Sequence, residues 1–112
     1  MKKSYIKGFL EDILVHLIAE QGETYGYALT RMVEERTQGV IQLNEGALYP
    51  VLHKLEEKGV LVSEFKSEGS RPRKYYRLAP GKESEDYIAT MEEELISYLG
   101  ALNAIFKKTN YG

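Results

Sequence analysis

The sequence predicts a mainly α-helical chain with one small β-hairpin and a long helix at its C-terminal end. Apolar residues recur at steps of three and four in several separate stretches, the spacing of one helix face. Two segments rich in β-branched and aromatic residues, 60–66 and 73–79, flank the turn-forming run Ser67-Glu68-Gly69-Ser70-Arg71-Pro72. The chain has 112 residues, 43% hydrophobic and 29% charged, which is the make-up of one globular domain and argues against extended disorder.

The first helix is expected over about residues 4–21. Ile6, Phe9, Leu10, Ile13, Leu14, Leu17 and Ile18 form its stripe, and Gly22 is its stop. Thr24 reads as the N-cap of a second, short helix in which Tyr25, Ala28, Leu29, Met32 and Val33 keep the period and Gly39 closes it. Residues 40–43 are too few for a helix and read as a small strand or a tight connection. Asn44 is a good N-cap for a third helix, whose stripe is Leu48, Val51, Leu52 and Leu55 and whose stop is Gly59. Pro50 is the anomaly there, because it loses a backbone bond and crowds the carbonyl of Gly46, four residues earlier. Either the helix begins nearer Leu48 or it carries a proline in its first turns.

The hairpin follows, with a loop of about six residues. Its two-residue period places Tyr76 and Leu78 on one face, Tyr75 and Arg77 on the other. After Pro80-Gly81 comes the long helix, about 24 residues or ~36 Å. Ile88, Met91, Leu95, Tyr98, Leu102 and Ile105 follow a heptad seam, which Leu99 and Phe106 widen. Six acids lie in its first half and Lys107-Lys108 at its end, which suits the helix dipole. Thr109 to Gly112 are expected to fray. Three helices, a hairpin and a further helix are the order of a winged helix-turn-helix, residues 1–80, followed by a C-terminal dimerisation helix, residues 81–112, in one compact unit.

Composition excludes several classes. The chain has no cysteine, which removes disulfides, thiolate zinc sites and cysteine nucleophiles together. No apolar run approaches the ~18 residues of a membrane span, and no hydrophobic leader follows the N-terminal lysines, so a cytoplasmic protein without membrane contact is expected. Net charge is −2, but it is unevenly spread. Residues 1–81 hold 12 Lys and Arg against 11 Asp and Glu, whereas residues 82–112 hold 3 against 6. Arg71 to Arg77 carry four bases and no acid. DNA feels the local face, because screening acts over ~8–10 Å.

The candidate functional residues follow from that layout. Arg71, Arg73 and Lys74 lie at the hairpin turn, where cations reach phosphates or the minor groove, and Tyr75 can donate to a phosphate. Asn44, Ala47, Tyr49, Pro50, His53 and Lys54 lie at the start or on the outer face of the third helix, from which side chains reach base edges. Tyr25 stands at a helix start beside Gly26, a residue that lets another group come close. The seam Ile88, Met91, Leu95, Tyr98, Leu99, Leu102 and Phe106 needs a partner, because the helix is too long for the domain to cover. That partner is the same helix of a second copy, or the first helix of either copy.

Catalysis finds no constellation. His53 with Glu56 or Glu57 has helical spacing for a metal, but zinc sites want three or four ligands, so no metal, cofactor or enzyme activity is expected. The competing class is a winged-helix module that binds protein and no DNA, which salt dependence separates from a DNA binder.

Tyr25-Gly26-Tyr27, then residues 45–56 (EGALYPVLHKLE), then Gly59, then residues 71–78 (RPRKYYRL), resemble the PadR family of bacterial transcriptional regulators, over roughly residues 8–79. The family usually has threonine at the positions of Ala47 and Ala79; the change at Ala47 removes a hydroxyl that would serve as a DNA contact or a cap. The resemblance implies a homodimer on a roughly palindromic operator in double-stranded DNA, usually a repressor, with the third helix in the major groove and the hairpin on the flanking backbone. The single C-terminal helix resembles the short-tailed branch. Some relatives respond to a phenolic or small hydrophobic effector; with no tryptophan in this chain, a tryptophan-sandwiched drug site is not available.

Overall fold

A computed structural model describes residues 5–69 and 71–107. A 3-10 turn, Lys7–Phe9, leads into α1, Leu10–Gln21. There follow β1 (Glu23–Tyr25), α2 (Gly26–Arg36), α3 (Glu45–Glu57), β2 (Leu61–Glu68), β3 (Arg71–Leu78) and α4 (Lys82–Phe106). The expected order therefore holds, with one strand added. The first helix is shorter than the expected 4–21: residues 5 and 6 are not helical, residues 7–9 form the 3-10 turn, and the α-helix begins at Leu10. Residue 4, Ser70 of the turn, Lys108 and the fraying of residues 109–112 lie outside the described residues.

The added strand corrects the expectation for Thr24. α1 stops where Gly22, at φ 82°, donates its N–H to the Ile18 carbonyl at 2.9 Å. The chain then extends instead of capping. Glu23, Thr24 and Tyr25 pair with Arg77, Tyr76 and Tyr75 of β3. Thr24 is buried in that pairing, and the residue preceding α2 is Tyr25, extended and without a side-chain cap. The result is a three-stranded antiparallel sheet in the order β1-β3-β2.

Residues 37–44 form a tight connection, not a strand. Thr37 holds it: its hydroxyl donates to the Val33 carbonyl at 2.8 Å and accepts from the Ile41 N–H at 3.0 Å. Asn44 caps α3 as expected, its side-chain oxygen accepting from the Ala47 N–H at 2.9 Å. α3 begins at Glu45, not nearer Leu48, and carries Pro50 in its second turn. The carbonyl it crowds belongs to Gly46, which has no side chain to add to the crowding.

The hairpin is tighter than expected. β2 and β3 stay in register from Leu61↔Leu78 to Glu68↔Arg71, so residues 69–70 alone connect them. Gly69 takes φ 66°, a region open to glycine.

The core lies where α1, α2, α3 and the sheet meet. Leu14, Ile18, Leu29, Leu48, Leu52 and Leu55 are completely buried, each stabilising the fold by about 1.5–3 kcal/mol. α4 joins chiefly through its residues up to Tyr98. Met91 enters the core and Ile88 packs against it. Tyr87 donates to Glu11 of α1 at 2.7 Å, His16 pairs with Glu92, and the rings of Phe9 and Tyr98 lie 6.1 Å apart. Beyond Tyr98 its side chains are exposed, apart from half-buried Leu102. The radius of gyration is 16.2 Å, against about 13 Å for a compact chain of this length.

Candidate nucleic-acid interface

α3 buries Leu48, Leu52 and Leu55 and so turns Ala47, Tyr49, Pro50, His53 and Lys54 outward. These are the residues its outer face was expected to show. The oxygen of Asn44 is committed to the cap, so that side chain offers mainly its amide N–H groups to a ligand. His53 lies 3.5 Å from Glu57, an exposed pair worth little. Among the described residues no group of three or more His, Asp or Glu is placed to hold a metal ion.

Tyr49 is more firmly placed than an exposed aromatic need be. Its hydroxyl donates to Glu45, one turn earlier, at 2.7 Å. That bond, together with burial and the charge of Glu45, pushes the phenol up to about 12. The ring also lies against Gly26: a Cβ there would stand 3.1 Å from the phenolic oxygen. The glycine between two tyrosines therefore admits the ring of Tyr49 from α3. The sequence signalled a close approach without identifying what approaches.

The wing completes the site. A cavity of about 570 Å³ opens between the start of α2, the start of α3 and the hairpin. Tyr25, Tyr49, Arg71, Arg73 and Lys74, all singled out from sequence, line it together. Gly26, singled out from sequence as a point of close approach, lines it too, as do Tyr27, Glu45, Phe65 and Pro72, which were missed. Glu45 was legible in principle, through its spacing of four from Tyr49. Phe65 is an exposed aromatic on a strand, which sequence alone cannot place on one face of the cleft. Tyr75 lies outside the cavity wall, its ring edge-on to Tyr25 at 5.1 Å.

The wing cations are not equivalent. The Arg73 guanidinium stacks over the Tyr25 ring at 4.6 Å, which orients it without neutralising it. Among the described residues no carboxylate pairs with Arg71 or Arg73. Lys66, by contrast, reaches Glu23 at 2.5 Å, and that bond raises its pKa. Lys74 lies 3.5 Å from Glu56 of α3. The positive charge presented outward is thus chiefly arginine.

A second surface is apolar. Of the expected seam, Met91 and Ile88 are used within the chain, and Leu95 and Leu102 are half-buried. Tyr98, Leu99 and Phe106 remain 56%, 47% and 76% exposed. A groove of about 430 Å³ lies between α1, the end of α2 with the connection after it, and residues 91–96 of α4, its apolar wall formed by Ile13, Leu17, Val33, Ile41, Met91, Leu95 and Ile96. Ile96 lies outside the expected seam and widens the apolar face.

Comparison with known proteins follows the same lines. Residues 13–85 match the profile of the transcriptional regulator PadR-like family. An uncharacterised protein of Lysinibacillus sphaericus is 35% identical over 80 residues, 70% of this chain and 72% of that protein. The transcriptional regulator Rv3488 of Mycobacterium tuberculosis is 36% identical over 70 residues, 61% of this chain and 63% of that protein. The structure of a transcriptional regulator from Clostridium thermocellum superposes with a TM-score of 0.77 at 27% identity, covering 96% of this chain and 99% of the other.

Proposed function

Since the chain belongs to the PadR-like family of transcriptional regulators, we propose that it is a homodimeric, sequence-specific DNA-binding regulator, acting as a repressor on a palindromic operator in the cytoplasm. The observation that carries this reading is the shared cavity of α2, α3 and the wing, where Tyr25 and Tyr49 stand beside Arg71 and Arg73. Phosphate contacts from the arginines would supply affinity and fix the register. Ala47, Tyr49, His53 and Lys54 on α3 would face base edges in the major groove, where Ala47 suits a thymine methyl. Asn44, Pro50 and Tyr75 would support that docking from the edges of the helix and the wing.

In this reading residues 1–80 hold DNA and residues 81–112 pair two copies through Leu95, Tyr98, Leu99, Leu102 and Phe106. Pairing gives the two-fold symmetry that reads two half-sites about one turn apart. A small hydrophobic or phenolic effector would act at the apolar surface of α4, where it alters the spacing of the two reading heads. The chain itself would carry out no catalysis.

Hydroxyl-radical footprinting of the fragment upstream of its own gene tests the reading. Two protected patches related by two-fold symmetry, with centres ~34–36 Å apart along the duplex, are expected. One continuous, unsymmetrical patch, or none, would overturn it.

A further inference from the structure

α3 and the wing must meet DNA as one surface, and one carboxylate ties them together. Glu56 lies near the C-terminal end of α3, two turns beyond Tyr49 on the same side of the helix. One of its oxygens accepts from the Ser63 hydroxyl of β2 at 2.5 Å, and the other lies 3.5 Å from the Lys74 ammonium of β3. A single helix side chain therefore engages both strands of the hairpin. Ser63 pairs with Tyr76, and Lys74 pairs with Phe65, so both contacts sit on one face of the hairpin, two rungs apart.

Lys74 is held by these contacts and by two rings. Its ammonium lies 5.5 Å from the centre of the Tyr76 ring and 5.9 Å from that of Phe65. The side chain is 33% exposed, and its partner Glu56 31%. The Ser63 bond and the charge of Lys74, acting against burial, hold Glu56 below the usual carboxylate range, so it is ionised at neutral pH. Arg71 and Arg73 differ, having no carboxylate partner among the described residues.

We propose that Glu56 is a positioning residue that clamps the wing to α3 through Ser63 and Lys74, and that Lys74 fixes the angle of the wing instead of neutralising a phosphate. The proposal rests on the DNA-binding reading given above. Two consequences follow that a merely structural ion pair would not have. Releasing Lys74 should add a phosphate contact, because a free ammonium stands beside a polyanion. Loosening the wing should also cost discrimination, because the helix and the wing no longer dock in one fixed relation.

The test uses the full chain, as wild type, Glu56→Gln and Lys74→Met. Binding to the fragment upstream of its own gene and to a scrambled fragment of equal length is followed across salt concentrations. Glu56→Gln is expected to steepen the dependence of log affinity on log salt by about 0.9, the value of one added phosphate contact. Its preference for the upstream fragment should fall several-fold. Lys74→Met should lose a similar preference with its salt slope unchanged. A slope that becomes shallower by about 0.9 in Lys74→Met, with no change in Glu56→Gln, would make Lys74 a phosphate ligand and overturn the clamp.

A second measurement needs no DNA. The chain has no native cysteine, so spin labels at Ser67→Cys and His53→Cys report the distance from wing to helix without competing thiols. The distance distribution should broaden when Glu56→Gln is added. An unchanged width overturns the clamp even if the wild type binds neither fragment, an outcome that would sink the DNA-binding reading instead.

Discussion

Gly26 leaves room for the ring of Tyr49, and the fit is close enough to measure. Gly26→Ala places a methyl 3.1 Å from the phenolic oxygen, so the ring must shift and its bond to Glu45 weakens. The phenol, now held at about 12, should return toward the ordinary tyrosine value of ~10, as seen by NMR of labelled tyrosine. DNA affinity should fall several-fold while stability changes by less than about 0.5 kcal/mol, since only the far end of a side chain moves. An unshifted phenol would mean that Glu45 holds the ring without help from Gly26. Glu11 behaves differently. Burial pushes its carboxyl up, but bonds from Tyr87 and Lys58 and the charges of Lys58 and Lys54 outweigh burial and hold it low. A carboxyl lowered in the fold contributes stability above its unfolded pKa and loses it as pH falls through the folded value. Tyr87→Phe should therefore cost about 1 kcal/mol near pH 7, with a difference from wild type that shrinks below about pH 4 in denaturant titrations. At this scale the sequence announced the residues better than their partners. Asn44 was legible as a cap because capping is local. The Glu56 clamp was not, because it joins residues seven and eighteen positions apart through a hairpin whose register the sequence leaves open.

Elements were read well where the pattern was long. α1, α3 and α4 follow from apolar periodicity, and Gly22 and Gly59 mark ends at positive φ. β1 was missed because three residues are too short to show alternation, and because Thr24 suits a cap as well as a strand. The hairpin loop was read as too long because Ser67, Glu68, Arg71 and Pro72 have turn chemistry, whereas pairing across the ladder decides. Pro72 is tolerated because β1 covers β3 only at Tyr75–Arg77, leaving its far side open beyond them. The long helix carries the expectation proper to this scale. Past Tyr98 its side chains are exposed except Leu102, so a charge at Leu99 tests association without touching the core. Leu99→Asp should leave the circular dichroism spectrum intact and give monomers in analytical ultracentrifugation. A dimer that survives the substitution would place the contact elsewhere on the chain, with the α1–α4 groove as the next surface to change.

The whole molecule combines an acidic total with a basic working face. Its net charge of −2 would discourage a nucleic-acid reading, yet most of the acid excess lies in residues 82–112 and the arginines lie at the wing. The division was legible because charge is additive along a sequence. The cavity that gathers Tyr25, Tyr49 and the wing arginines was not, because it depends on how three elements pack. In the proposed reading dimerisation and DNA reading would be coupled through shape, the long C-terminal helix pairing two copies and setting the spacing of their α3 helices. The most direct measurement is the affinity of the wild-type chain for the fragment upstream of its own gene, across salt, beside a scrambled fragment. Tight, fragment-selective binding that weakens steeply with salt is expected, as counterions are released from several phosphates. No binding at low salt by a folded dimer would contradict the account and point to a winged helix that recognises protein.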